Sequence, residues 1–288
     1  MASRSDAPAP RSTATSARHA DARPADPQWP TAITRIEPNT IQVRGYPVDE
    51  LMGRLSFAEA IYLILRGELP TPSIGKLFEA VLVSSLDHGV TPPSTLAARN
   101  VATTGAPIRA SVAAGVLGFG AFHGGDIESC MRFLQSGLAR VREGSSYDDV
   151  AREMADGCLA QGRIPSGFGH RIHTFDPRAV RLLQLAQELE LEGEHVRLVL
   201  AIERALRARP DAEQRAIPLN VDGAIAAVCG DMGFDPSLAN PLFIIARVPG
   251  LIAHACEERE RFPPMRQIDP TDHRYDGPPC RRLPASRK

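Results

Sequence analysis

Lysine is nearly missing from this chain. Only Lys76 and Lys288 interrupt an otherwise all-arginine set of 33 basic residues, so a lone arginine says little about an anion site. An excess of one charge is missing too. The 34 acidic residues leave a formal net charge of −1, which gives no reason to expect nucleic acid or a charged membrane surface as a partner. The five cysteines (Cys130, Cys158, Cys229, Cys256, Cys280) are odd in number, scattered and free of Cys-x-x-Cys spacing. That pattern argues against a disulfide scaffold and against a zinc site, and it suits a reducing, cytoplasmic setting. No apolar run approaches the roughly 20 residues of a membrane span, and no charged-then-apolar start suggests a signal peptide.

Residues 1–29 lack apolar periodicity as well. Their Ala, Ser, Pro, Arg and Asp content predicts a disordered tail, and Asp6, Asp21 and Asp26 speak against a mitochondrial presequence. Strand signals are confined to the stretch just after it. Ile33, Ile36 and Ile41, Val43 flank Glu37-Pro38-Asn39, which predicts a short hairpin. The periodicity from there on is helical. Ser56-Phe57-Ala58-Glu59 reads as a capping box opening a helix that Gly67 and Pro70 end. Leu77, Phe78, Val81, Leu82 and Leu86 mark the next apolar face. Further helices are expected near 94–104, 107–121, 127–142, 147–160, 177–192, 195–208, 223–230 and 237–260, with Pro249 kinking or breaking the last. The fold is therefore read as mainly α, and 288 residues suffice for one large domain or two modest ones.

Three islands combine glycine with chemistry: Phe122-His123-Gly124-Gly125, Gly167-Phe168-Gly169-His170-Arg171, and Asn220-Val221-Asp222-Gly223. They supply two imidazoles, a carboxylate and closely approachable backbone, the parts needed to move a proton next to a carbonyl. Ordinary roles stand beside the chemical ones at several of these positions. His123 could close a helix, Asp222 could cap one, and Asp87-His88-Gly89 could be plain helix-end chemistry. Arg178, following Asp176-Pro177 at an expected helix start, together with Arg247 and Arg266, could grip carboxylates bidentately.

In this order and spacing the islands resemble the catalytic signature of the citrate synthase superfamily, and the likeness covers nearly everything from Thr31 onward. Arg44-Gly45-Tyr46-Pro47, Gly67-Glu68-Leu69-Pro70 and Asp87-His88 are similar to the family's large-domain landmarks. Arg247 in the stretch 246–254, Ala-Arg-Val-Pro-Gly-Leu-Ile-Ala-His, matches its substrate-carboxylate arginine, and Asp176-Pro177-Arg178 another. The resemblance implies a two-domain fold with a small N-terminal β-hairpin. Residues 30–125 and 226–288 would form a large domain and 126–225 a small one. It implies His123, His170 and Asp222 as the catalytic set, with His88, Arg178, Arg247 and Arg266 holding substrate carboxylates. Arg44 and Arg171 are candidates for coenzyme A phosphates. No metal and no bound cofactor are implied, the coenzyme A thioester being the substrate, and a homodimer or higher oligomer is expected, with Arg266 entering the neighbour's site.

Two departures bear on the subfamily. Ordinary citrate synthases carry a long helical stretch between Gly-Glu-Leu-Pro and Asp-His, where this chain has room for a single helix. That shortened large domain resembles the short citryl-CoA lyases and the citrate-synthase-homology module of ATP citrate lyase, which also read Asp-His-Gly. Against this, the ATP citrate lyase module has Phe-Gly-Gly where His123-Gly124-Gly125 stands here, as in synthases. The expected activity is cleavage of citryl-CoA or a related acyl-CoA to acetyl-CoA and oxaloacetate. The alternatives are a citrate or 2-methylcitrate synthase and a non-catalytic ligand-binding paralogue.

Overall fold

The computed structural model describes residues 29–120, 123, 124, 126–169, 174–210, 212, 216–266, 269–272 and 274–283. The expected tail, except Trp29, lies outside these residues, and so do His170 and Arg171.

The hairpin forms where expected. β1 (Thr34–Glu37) and β2 (Thr40–Val43) pair with Glu37 opposite Thr40, leaving Pro38 and Asn39 as the turn. Asn39 accepts a φ of +62°, which asparagine tolerates better than most residues. A third strand, β3 (Tyr46–Pro47), was not legible in the sequence. It pairs with β2 through Arg44-Gly45, both at positive φ, the two-residue turn whose twist suits a hairpin.

A single turn, α1 (Val48–Leu51), leads to α2 (Phe57–Arg66). The capping box is present in both directions: Glu59 N–H donates to Ser56 Oγ at 3.2 Å, and Ser56 N–H to Glu59 Oε2 at 2.8 Å. Gly67 closes the helix at φ +86°. α3 (Pro72–Ser84) stops short of Leu86, which is exposed rather than part of the apolar face. The reason lies at Ser85, whose carbonyl accepts from Arg247 instead of continuing the helical ladder.

α4 (Pro93–Ala102) and α5 (Ile108–Leu117) follow as a packed pair. α6 (Asp126–Arg142), α7 (Tyr147–Ala160), α8 (Pro177–Glu188), α9 (Glu194–Arg207) and α10 (Val221–Asp231) build a second group around α10, which touches α6, α8 and α9. Every residue of α10 from Gly223 to Cys229 is buried, as befits a helix apolar on all sides. α11 (Pro236–Arg261) returns to lie across α4, α5 and α6. One hydrophobic cluster, from Ala58 to Ala246, joins α2 and α3 to the second group and to the first part of α11; it includes no residue of α4 or α5.

Pro249 does not break the last helix. α11 runs for 26 residues through both Pro241 and Pro249. Each proline forfeits one backbone bond, and burial of Leu242, Phe243, Ala246, Gly250 and Leu251 on neighbouring helices holds the course. An 18-residue stretch of α11 has a mean hydropathy of 1.4, long and apolar enough to cross a membrane by length and composition, a feature the sequence reading passed over. Buried Arg247 and that packed face mark it as a core helix instead.

Candidate functional site

Two of the three islands are hydrogen-bonded to each other. Phe168 bridges to Leu219, Gly169 N–H donates to the Pro218 carbonyl at 2.7 Å, and Asn220 N–H donates to the Gly167 carbonyl at 3.1 Å. The Asn220 amide also reaches the Gly169 carbonyl at 3.0 Å. Only glycine fits this crossing: a Cβ on Gly167 would come within 2.6 Å of Gly223 Cα, and one on Gly223 within 2.4 Å of the Gly167 carbonyl oxygen.

Asn220 caps α10 by accepting from Gly223 N–H at 3.1 Å. Asp222 is thereby relieved of the capping role that its sequence context also allowed. It occupies the first turn of α10, half-buried. Burial pushes its carboxyl from 3.8 up to about 6, Asp126 and Asp176 push the same way, and Arg178 and Arg247 pull back.

His123 lies beyond the end of α5, so it is not a helix cap. Gly120 and His123 exchange both backbone hydrogen bonds, at 2.9 and 3.0 Å. The imidazole stacks on Phe119 at 5.0 Å, and its Nε2 lies 2.7 Å from Ser94 Oγ at the buried start of α4. Burial, then the positive charges of Arg247 and His88, hold its pKa below the ordinary histidine value, so the ring is neutral at neutral pH.

Arg247 is 2% exposed, with its Nε on the Ser85 carbonyl at 2.8 Å and its guanidinium over the Phe243 ring. One turn further along α11, a Cβ on Gly250 would strike the Leu86 carbonyl at 2.5 Å, so the helix lies directly against the Asp87-His88 loop. His254 then meets Asp87 Oδ1 at 3.0 Å. Arg178 forks onto Asp176 at 3.0 and 2.8 Å. Asp176 is itself fully buried, caps α8 through Arg178 N–H, and accepts from Val221 N–H at 3.0 Å, tying the start of α8 to the start of α10. Charge effects join Arg247 to His123, to Asp222 and to Arg178, and His88 to His123.

Two expected ligands of substrate stand elsewhere. Arg44 donates from Nε and Nη2 to the Ile64 carbonyl at 3.0 and 2.7 Å, fastening the small sheet to α2. Arg266 forks onto Glu258 of its own chain at 2.8 and 2.5 Å and covers the Phe262 ring. The same buried Glu258 accepts from Arg99 at 2.7 Å. Among the described residues, no three His, Cys, Asp or Glu side chains gather as a metal-binding group.

Sequence reasoning missed Ser94, Asp126, Asp176 and His254. Asp176, an aspartate before a helix-starting proline, carried a readable capping signal; His254 closes the motif that begins Ala246-Arg247 but was given no role, and Ser94 and Asp126 carried no signal.

A family model of the citrate synthase C-terminal domain matches residues 71–268. The citrate synthase of Synechocystis sp. is 32% identical over 208 residues, 71% of this chain and 50% of that protein. The glyoxysomal citrate synthase of Cucurbita maxima is 28% identical over 225 residues, 74% of this chain and 42% of that protein. The chain thus spans about half the length of these curated relatives. Among solved structures, citryl-CoA lyase from Hydrogenobacter thermophilus matches at 42% identity and a TM-score of 0.80, covering 90% of this chain and 99% of that one. The ATP citrate lyase of Methanosaeta concilii, solved with (3S)-citryl-CoA, shares 20% identity at a TM-score of 0.71 over 89% of this chain and 43% of that one, a likeness of fold alone.

Proposed function

The chain belongs to the citrate synthase family, a family of enzymes, and from that premise we propose that it cleaves citryl-CoA, or a related acyl-CoA, to acetyl-CoA and oxaloacetate. The observation that carries this reading is the end-to-end match with a citryl-CoA lyase at 42% identity. The single helix α3 between Pro70 and Asp87 supports it.

In the cleavage direction His170 accepts the proton of the tertiary hydroxyl. The carbon–carbon bond breaks, oxaloacetate forms, and the electron pair passes to the thioester carbonyl as an enolate. Neutral His123 supplies a hydrogen bond to that oxygen. If the Ser94 hydroxyl donates to Nε2, the ring proton stays on Nδ1, which becomes the donor. Protonated Asp222 then returns a proton to the methylene carbon, and its value of about 6 leaves both protonation states accessible near neutrality. His88, Arg178 and Arg247 bind carboxylates, with Arg171 on a coenzyme A phosphate. Arg44 and Arg266 serve substrate only by leaving the partners they hold here. The chemistry calls for no cofactor beyond the coenzyme A that arrives with substrate. The 126–225 unit closes over the rest and excludes water. The enzyme is cytoplasmic and a homodimer or larger.

A synthase remains the second reading, favoured by the histidine of His123-Gly124-Gly125 and by the curated relatives named above. A synthase must also hydrolyse the thioester. Citryl-CoA cleavage is expected to outpace the formation of free citrate and coenzyme A from acetyl-CoA and oxaloacetate. Equal or faster citrate formation, with stoichiometric thiol release, supports the synthase.

A further inference from the structure

Asp126 opens α6 three residues after His123. A carboxylate at such a place ordinarily serves its own helix. Here another residue does part of that work: Glu128 N–H, in the first turn, donates to Asn240 Oδ1 of α11 at 3.2 Å. Asp126 Oδ2 instead accepts the Gly167 N–H at 2.7 Å, across 41 residues of sequence. Gly167 is the residue pressed against Gly223, and its carbonyl holds Asn220, the cap of α10. One side chain therefore ties the His123 island to the glycine turn before His170, and through it to the first turn of α10 where Asp222 stands.

We infer that Asp126 is a positioning residue, which fixes the Gly167 turn with one oxygen and presents its negative charge to Asp222. Among the described residues, the groups acting on Asp222 come from three neighbouring elements: Asp126 on α6, Asp176 and Arg178 at the start of α8, and Arg247 on α11, with buried Cys130 close by. Asp126 comes directly after burial among the causes that raise the Asp222 carboxyl. Asp176 is neutralised by the Arg178 fork. Asp126 accepts a backbone amide and, of the two carboxylates that raise Asp222, has the larger effect. A like charge favours the protonated carboxylic acid. Cleavage starts from that acid form and condensation from the base, so Asp126 enlarges the share of enzyme ready for cleavage at a given pH. The inference rests on the proposed reaction for its consequence, but not for its physical content.

The test uses the full chain as wild type, Asp126→Asn and Asp126→Ala. Asparagine keeps an oxygen for the Gly167 amide and removes the charge; alanine removes both. The Asp222 titration is followed by NMR of 13C-labelled aspartate carboxyls, assigned with Asp222→Asn, and citryl-CoA cleavage is measured from pH 5 to 8. Asp126→Asn is expected to move the Asp222 titration down by roughly one unit toward the ordinary value near 4. Because cleavage uses the protonated form, its rate should drop about tenfold at pH 7 and change by no more than about twofold at pH 5. Asp126→Ala should add a loss that is the same at every pH. An unmoved Asp222 titration in Asp126→Asn, or a rate loss independent of pH, overturns the inference even if the wild type cleaves citryl-CoA. A moved titration in a chain that cleaves nothing upholds it and removes the proposed reaction instead.

Discussion

Asp222 shows how burial of a single carboxyl weighs on stability. Its carboxyl titrates near 6 in the folded chain and near 3.8 when exposed. Between those values the folded state binds the proton that the unfolded chain has released, so stability falls as pH rises through that window. By pH 7 the cost is about 3 kcal/mol at most, two units at roughly 1.4 kcal/mol each. Asp222→Asn should therefore raise the unfolding midpoint by a few degrees at pH 7 and lose the advantage below about pH 4. Turnover should fall by about 10²–10⁴-fold, the contribution expected of a general acid–base. Thermal unfolding at both pH values, beside a turnover assay, checks both halves. A variant equally stable to wild type at pH 7 contradicts the burial argument. The candidate residues themselves were legible because glycine-flanked His and Asp stand out in sequence. Their partners were not: Ser94 meets His123 across 29 residues, and Asp176 meets Val221 across 45. No local pattern encodes such a contact.

At the scale of elements, the C-terminal turn of α11 is fastened by a buried carboxylate between two guanidiniums. Glu258 is 1% exposed, Arg99 8% exposed, and Arg266 partly open to solvent. The two arginines outweigh burial and hold the Glu258 carboxyl below its usual range, so the stabilisation is present at neutral pH and is lost as pH falls through that lowered value. Glu258→Gln leaves Arg99 buried without its counter-charge and should cost about 3 kcal/mol in denaturant unfolding. Arg266→Ala removes a partly exposed partner and should cost no more than about 1 kcal/mol. Equal losses would mean that burial of Arg99 is not what sets the cost. The elements that sequence announced are those with local signals: the Ser56 capping box, the Pro38-Asn39 turn and the Asp-Pro start of α8. β3 escaped notice because two residues carry no periodicity, and the continuity of α11 through Pro249 depends on helices far away in the chain.

At the scale of the whole molecule, α4 and α5 each hold a large apolar side chain in the open. Leu117 at the end of α5 is 84% exposed and Leu96 on α4 is 48% exposed. The proposed homodimer, if paired through α4 and α5, would cover these side chains. Leu117→Glu should then shift the mass measured by light scattering from dimer or larger toward monomer, whereas a wild type that is already monomeric removes the proposed assembly. Arg266 adds a constraint on that assembly: in its own chain it is engaged with Glu258, so any delivery to a neighbour's substrate requires exchanging that carboxylate for another. The central claim concerns the bond that is broken. Citryl-CoA supplied to the enzyme in D2O, with products read by mass spectrometry, tests it directly. Cleavage through an enolate predicts oxaloacetate together with acetyl-CoA carrying one deuterium in its methyl group; free citrate and coenzyme A as the products would contradict it.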